Sequence, residues 1–211
     1  MPHVILLGDS ILDNASYTAG GPAVIAQVRE QLPAGWRATL LAVDGATTDG
    51  IPAQIDRLPS DSTHLVLSIG GNNALMRQDL LDKPVRSTAE AFSMFYKVVH
   101  EFENAYRKAL DACLNASLPL VICTIYNGRF PDAAFQQRAT VAIAAFDDAI
   151  IRIGVEKQLK VIELRHVCNR AEDYANPIEP SSVGGAKIAK AIVRAVTEPP
   201  GVRRGARVVA A

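Results

Sequence analysis

The sequence predicts an α/β fold in which a parallel sheet of five strands is covered by helices on both faces. Five short apolar segments rich in branched residues alternate along the chain with segments that show helical periodicity. Parallel strands need a crossover of a dozen or more residues, which favours helices between them. The 211 residues also suffice for one domain with a sizeable core. We therefore expect a doubly wound, three-layer α/β/α sandwich.

Each element is placed by its hydrophobic pattern. The predicted strands are residues 4–7, 38–43, 64–69, 118–125 and 161–164. The predicted helices are residues 23–32, 51–58, 88–114, 133–158 and 183–196. The segment Ser87-Thr88-Ala89-Glu90 has the pattern of a capping box, in which Ser87 accepts from the Glu90 amide and Glu90 reaches back. This pattern marks the start of the third helix.

The chain divides into one domain over residues 1–197 and a tail over residues 198–211. The tail opens with Glu198-Pro199-Pro200-Gly201 and carries three arginines, a composition typical of a linker. We interpret it as a flexible, solvated terminus.

Composition and charge exclude several classes of function. Lys and Arg number 22, as do Asp and Glu, so no global field would attract nucleic acid or an anionic membrane. No apolar run reaches the roughly 18 to 20 residues of a membrane span. The first strand begins directly after Met1 and Pro2, which leaves no room for a secretory leader. Cys113, Cys123 and Cys168 lack C-x-x-C spacing, so we expect a cytoplasmic protein without disulfides, metal or other cofactor.

The residues that follow the predicted strands are the candidates for function, because ligands of an open parallel sheet bind at the carboxyl ends of its strands. Four loops carry small and polar residues there: Gly8-Asp9-Ser10-Ile11-Leu12, Asp44-Gly45-Ala46-Thr47-Thr48, Gly70-Gly71-Asn72-Asn73 and Asn176-Pro177-Ile178-Glu179-Pro180-Ser181. A serine in a strand-to-helix turn exposes its hydroxyl, and backbone N–H groups nearby can stabilise an oxyanion. Ser10 is therefore the candidate nucleophile.

The first three loops resemble the sequence blocks of the GDSL, or SGNH, ester hydrolases. Gly8-Asp9-Ser10-Ile11 resembles the first block, with isoleucine in place of leucine, and Gly45 resembles the glycine of the second. Gly70-Gly71-Asn72-Asn73 resembles the third block, G-x-N-D, with asparagine in the last place. The resemblance spans nearly the whole chain and implies a flavodoxin-like sheet of order 2-1-3-4-5. It also implies that Ser10 attacks an acyl carbon, while the Ser10 and Gly45 amides and the Asn72 side chain form the oxyanion hole.

The last block departs from the family pattern D-x-x-H-P, because no histidine occupies its place. Aligning Pro180 and Gly184 with the family puts Glu179 at the histidine position and Asn176 at the aspartate position. A second frame, Asp173-Tyr174-Ala175-Asn176-Pro177, puts Asn176 at the histidine position but leaves three extra residues before the last helix. We prefer the first frame.

The identity of the general base is thus open between Glu179, His166 and none. A carboxylate with an ordinary pKa of about 4.3 is a much weaker base than imidazole, at about 6.5, so Glu179 would need burial to raise its pKa. His166 follows the fifth strand at the same sheet edge and is the alternative. His3, His64 and His100 fall at strand starts or inside a helix, away from that edge.

Two further segments are expected to shape a pocket. Ala74-Leu75-Met76 would line an acyl slot, and Tyr126, Asn127 and Arg129 would contact a polar group of the substrate. Together with the resemblance, these residues predict a serine hydrolase that cleaves a small-molecule ester or thioester of a small acyl group through an acyl-enzyme on Ser10. Two alternatives stay open: a ligand-binding protein that lost turnover with its usual base, and an acyltransferase that uses the same site.

Overall fold

The computed structural model describes residues 1–198, which form a parallel five-stranded sheet between two layers of helices. The strands are β1 His3–Gly8, β2 Arg37–Leu40, β3 His64–Ser68, β4 Leu120–Cys123 and β5 Lys160–Ile162. Their order is β2-β1-β3-β4-β5, and every neighbouring pair is parallel. The predicted fold class is confirmed, and so is the strand order that the resemblance implied. The predicted tail, apart from Glu198, lies outside the described residues.

The helices cover both faces of the sheet. They are α1 Val24–Gln31, α2 Ile51–Ile55, α3 Gly71–Leu75, α4 Thr88–Leu114, α5 Ala133–Glu156, α6 Leu164–Val167 and α7 Ser182–Thr197. The sequence did not predict α3 and α6, because helices of four or five residues are too short to show a hydrophobic period. Within residues 1–198, none of the helices is long and apolar enough to cross a membrane.

Side-chain caps fix the starts of the long helices. At the start of α4, Ser87 Oγ accepts from the Glu90 amide at 3.1 Å, as predicted. The Glu90 carboxylate differs from the expected capping box, since it accepts from the Arg86 amide at 2.8 Å. Asp132 caps α5 and Ser181 caps α7 in the same way as Ser87 caps α4.

The core consists of two apolar clusters, one on each face of the sheet. Val4 and Leu6 of the central strand β1 pack with α1 and α7 on one face. The alternate residues, Ile5 and Leu7, pack with α4 and α5 on the other. All four are fully buried, as expected for a strand covered on both faces, and this explains the continuous apolar run in the sequence.

Four strands are shorter than predicted, and β2 and β4 differ most, because the chain leaves the ladder early to enter the loops at the carboxyl edge. The amides of Leu41 and Ala42 both donate to the Leu6 carbonyl, which ends β2. Beyond β4, the Ile125 amide donates to the buried Asp147 carboxylate at 2.7 Å. Both departures bring loop residues towards the end of β1.

Gly8 ends β1 in a conformation that no other residue type fits. Its φ is +133°, and a Cβ placed there would lie 1.8 Å from the Ser68 carbonyl oxygen of β3. The Gln54 side chain holds Gly8 from the other side, accepting from its amide and donating to its carbonyl, both at 2.8 Å. The direction in which the chain leaves β1 is therefore fixed by close backbone contact on one side and a paired amide on the other.

We expect Gly8→Ala to lower the free energy of unfolding by more than about 3 kcal/mol, because the added methyl group meets the backbone of β3. Gly35→Ala is the matched control, because Gly35 has a φ of +83° but open space around its Cβ position. Its free energy of unfolding should fall only by the strain of a left-handed alanine, about 1 to 2 kcal/mol. Urea denaturation of the two variants measures the difference. Equal losses would contradict the steric role of Gly8.

Candidate active site

Ser10 lies in the turn that follows β1. The Asp9 amide donates to the Ser68 carbonyl at 3.2 Å, and the Leu12 and Asp13 amides donate to the Asp9 carbonyl at 3.1 and 3.0 Å. The Ser10 residue is 6% exposed and borders a cavity at the carboxyl edge of the sheet. Its own amide donates to no other residue within 1–198, so this N–H is free to bind a ligand oxygen.

The loops after β2 and β3 meet beside this turn. Gly45 is exposed with a φ of +77°, and its amide also donates to no residue in the described part of the chain. Asn72 borders the cavity, and its Nδ2 donates one hydrogen to the Ala46 carbonyl at 2.9 Å, which leaves the second N–H. Asn73, where the family has aspartate, accepts from the Thr48 amide and donates to the Thr48 hydroxyl at 3.1 and 3.0 Å. The asparagine pair thus ties the Gly45 loop to α3.

Glu179 provides the ionisable group next to Ser10. The residue is 5% exposed and borders the same cavity. Burial raises the pKa of its carboxyl to about 7, the nearby Ser10 side chain acts to lower it, and the Asp44 carboxylate raises it further. Oε2 of Glu179 has no hydrogen-bond partner within residues 1–198. The group therefore has a basicity close to that of an imidazole.

Asn176 shapes the loop that carries Glu179 and does not pair with its carboxylate. Asn176 Oδ1 accepts from the amides of Ile178 and Glu179 at 3.0 and 2.9 Å. The fully buried Asn14 donates to the Pro180 carbonyl at 3.1 Å and so ties this loop to the Ser10 turn. The resemblance implied that the side chain at position 176 orients the base directly. In the structure, Asn176 instead binds the backbone of the loop that carries Glu179.

The structure does not bring His166 or Asp173 to Ser10. His166, the alternative base, is exposed on α6 and does not border the cavity. Asp173, the acid of the second reading frame, is fully buried, accepts from the amides of Asn169 and Arg170 at 3.0 Å each, and forms a 2.6 Å ion pair with Lys187. Its carboxylate therefore binds two amides of the preceding loop and Lys187 of α7, and Asp173 does not border the cavity.

Asp9 is a feature of the site that the sequence reasoning did not assign. The residue is 1% exposed and borders the cavity; Oδ1 accepts from the Ile11 amide at 3.2 Å, and Oδ2 has no partner in the described residues. Burial raises its pKa to about 7, the hydrogen bond from Ile11 opposes this shift, and the charges of Glu179 and Asp44 add to it. Its place in the G-D-S motif was visible in the sequence, but its burial depends on tertiary packing.

The cavity beside Ser10 is open to solvent at its mouth and lined mostly by apolar side chains. It runs between the loop after β3 and the helices α4 and α5. The side chains that give it this character are Leu75, Leu81, Phe95, Phe130, Ile143 and Phe146. Such a shape accepts an extended apolar group next to the nucleophile.

The predicted pocket residues are partly in place. Ala74 and Leu75 border the cavity, whereas Met76 is 73% exposed and does not. Tyr126 and Asn127 border it, and the Tyr126 hydroxyl donates to a carbonyl of the Glu179 loop at 2.7 Å. Arg129 does not border the cavity, and its backbone amide is bound to that same loop at 2.7 Å. The aromatic wall from α4 and α5 was not predicted, since its members are remote in sequence.

Comparison with known protein families identifies the family that the sequence blocks resemble. Residues 6–184 match the sequence model of the GDSL-like Lipase/Acylhydrolase family. No curated protein is similar enough in sequence to count as a match.

Solved structures of low sequence identity share the fold. A lipase from a goat rumen metagenome superimposes with a TM-score of 0.71 at 18% identity, over 92% of this chain and 97% of that one. An extracellular lipase from Streptomyces rimosus gives 0.67 at 14% identity, over 92% and 100%. An acetylxylan esterase from Geobacillus stearothermophilus, in a catalytic mutant form, gives 0.65 at 16% identity, over 96% and 97%.

We expect Asp9→Asn to flatten the pH dependence of stability. The pKa of Asp9 is about 7 in the folded protein and 3.8 as a free side chain, so the folded state holds the proton more tightly and stability falls as pH rises from about 4 to about 7. Asparagine keeps the acceptor for Ile11 without the charge, so the variant should lose less stability over this range than the wild type. A shallower slope remains, because Glu179 and Asp147 also have a raised pKa of about 7.

Urea denaturation at several pH values measures these slopes. Asp111→Asn, which replaces an exposed carboxylate on α4 by the same amide, is the control for the change in net charge. A slope in Asp9→Asn as steep as that of the wild type would show that Asp9 is ionised at neutral pH.

Proposed function

Because the chain belongs to the GDSL-like lipase/acylhydrolase family, we propose that it is a serine ester hydrolase that uses Glu179 as its general base. One observation carries this proposal: a buried carboxyl with a pKa of about 7 lies on the same cavity as Ser10, while no histidine among residues 1–198 borders that cavity. A carboxylate with that basicity can take the serine proton near neutral pH. The proposal includes the roles of Ser10, Gly45 and Asn72 that the resemblance implied.

In the first half of the reaction, Ser10 Oγ attacks the ester carbonyl carbon as its proton passes to Glu179. The carbonyl oxygen becomes an oxyanion that accepts from the Ser10 and Gly45 amides and from the second N–H of Asn72. The bond between the carbonyl carbon and the alcohol oxygen then breaks. Glu179 returns its proton to that oxygen, the alcohol leaves, and an acyl-enzyme remains on Ser10.

In the second half, water replaces the alcohol. Glu179 takes a proton from the water as its oxygen attacks the acyl carbon, and the same oxyanion site holds the new negative charge. The bond to Ser10 Oγ breaks, Glu179 protonates Oγ, and the acid is released. In each half of the cycle Glu179 takes one proton from the attacking oxygen and gives it to the departing oxygen. The ester and water are converted to the acid and the alcohol, and no other reactant is needed.

The apolar cavity supports a larger acyl group than the small one expected from the sequence. It extends from Ser10 to Phe95 and Phe146, at the side of the site away from Gly45. Each methylene group buried there contributes about 0.8 kcal/mol of binding. We therefore propose that the acyl part of the substrate is an apolar chain of medium length, lying between α4 and α5.

We expect Glu179→Gln to lower kcat by about 10² to 10⁴, because glutamine keeps the shape of the side chain but cannot accept the proton. In the wild type, kcat/KM should rise with pH through about 7 as Glu179 loses its proton, and this limb should disappear in the variant. Hydrolysis of p-nitrophenyl esters as a function of pH measures both effects. His166→Ala, on the exposed α6, is the control and should retain the wild-type profile.

Labelling of Ser10 by a serine-reactive phosphonate separates the hydrolase from a non-catalytic binding protein. The wild type should react and Ser10→Ala should not, while circular dichroism shows both folded. An unlabelled wild type, or a Glu179→Gln variant as active as the wild type, would contradict the proposed mechanism.

We expect Ala142→Phe to shorten the acyl chains that the enzyme accepts. Ala142 borders the cavity on α5, so a phenyl ring there fills space that a chain would occupy. The kcat/KM for an octanoyl ester should fall at least about tenfold, and that for an acetyl ester by less than about twofold. Ala144→Phe, at an exposed position of the same helix, should affect neither. Equal losses for the two chain lengths would place the acyl group elsewhere.

A further inference from the structure

The proton path of the proposed function locates the alcohol part of the substrate. Since Glu179 must hand its proton to the alcohol oxygen, that oxygen lies against the Glu179 carboxyl. The acyl chain occupies the cavity on the side of β3 and β4. The alcohol therefore extends to the opposite side, towards the loops that follow β1 and β2.

Those loops form an acidic rim, which we define as Asp13, Asp44 and Tyr17. The Tyr17 hydroxyl donates to Asp44 Oδ2 at 2.7 Å, and the Asp44 amide donates to Asp13 Oδ2 at 3.1 Å. Asp44 is exposed, and its charge acts on both Glu179 and Asp9. The charges of Asp13, Asp44 and Glu179 all act on Tyr17. The charges of the rim and of Glu179 therefore act on one another.

Within the described residues, this field has no compensating cation. None of the carboxylates of Asp9, Asp13, Asp44 and Glu179 forms an ion pair with a basic side chain of residues 1–198. Glu179 borders the cavity and is only 5% exposed, and its Oε2 has no hydrogen-bond partner in residues 1–198. Carboxylates gathered at one side of the site without a cationic partner favour a ligand that brings positive charge there.

We propose that the preferred substrate is an ester whose alcohol carries a fixed positive charge, such as a quaternary ammonium group, bound at the acidic rim. This inference rests on the proposed function. The ammonium group lies against Asp44, and the Tyr17 ring provides an aromatic face of the kind that attracts such cations.

The proposal also resolves an electrostatic conflict in the reaction. The carboxylates that make Glu179 a stronger base oppose the negative charge that develops on the carbonyl oxygen. A cation in the alcohol offsets this repulsion in the transition state. An anionic alcohol or thiol, such as the polyphosphorylated thiol of an acyl-coenzyme A, adds to it, so such substrates are disfavoured.

A choline ester and the neohexyl ester of the same medium-chain acid test the proposal. The two alcohols have nearly the same shape and differ in a charged nitrogen or a neutral carbon. At low ionic strength the kcat/KM of the choline ester should exceed that of the neohexyl ester by about five- to tenfold. This ratio should shrink as salt rises from about 20 mM to about 500 mM, because the rim is exposed to screening ions.

Asp44→Asn should reduce the ratio to about two or less, since asparagine keeps an acceptor for Tyr17 but removes the charge. Any change that the substitution causes in Glu179 itself cancels, because both esters are measured on one enzyme. Asp111→Asn makes the same change of net charge at an exposed position on α4 and should keep the wild-type ratio.

Equal kcat/KM values for the two esters, or an unchanged ratio in Asp44→Asn, would overturn the charge preference. In that case hydrolysis of the neohexyl ester, dependent on Ser10, would leave the proposed hydrolase intact. If neither ester nor a p-nitrophenyl ester were hydrolysed, the proposed function would fail and this inference with it.

Discussion

In the mechanism that we propose, the chemistry of this site depends on desolvation of the Glu179 carboxyl beside Ser10. In water a carboxylate is too weak a base for a serine hydroxyl, with a pKa of about 4.3. Here the loop that carries Glu179 is held down by Asn14, by Tyr126 and by the turn around Asn176, and the burial of the carboxyl raises its pKa to about 7. Packing thus supplies the basicity that other hydrolases obtain from an imidazole.

Neutral amide side chains make several of the contacts that hold the site loops together. Gln54 pairs with both backbone groups of Gly8, Asn73 pairs with Thr48, and Asn14 connects the start of α1 to the Glu179 loop. An amide offers a donor and an acceptor at once, so one side chain can join two segments. Because the amide carries no charge, it does so without altering the field around the carboxyl groups. The asparagine at position 73, where the family has aspartate, fits this arrangement.

The sequence predicted the elements and the loop residues that depend on local pattern. Branched apolar runs located all five strands, and the small residues after the first three strands located Ser10, Gly45 and Asn72 in one region. Properties that depend on contacts between distant parts of the chain could not be predicted from the sequence. The position of Glu179 could be aligned, but its burial depends on loops distant in the chain. The aromatic wall of the cavity joins Phe95 to Phe146, residues that no local pattern connects.

The division of the site into an apolar and an acidic half follows from the strand order. In the order β2-β1-β3-β4-β5, the chain reverses its direction of growth at β1, so the loop after β1 lies at the boundary between two sets of loops. The loops after β3 and β4, with α4 and α5, surround apolar space, whereas the loops after β1 and β2 bear Asp13 and Asp44. Ser10 stands between them. In the proposed reaction the scissile bond therefore lies between the apolar and the polar part of one ester, and the topology of the sheet determines on which side the leaving alcohol lies.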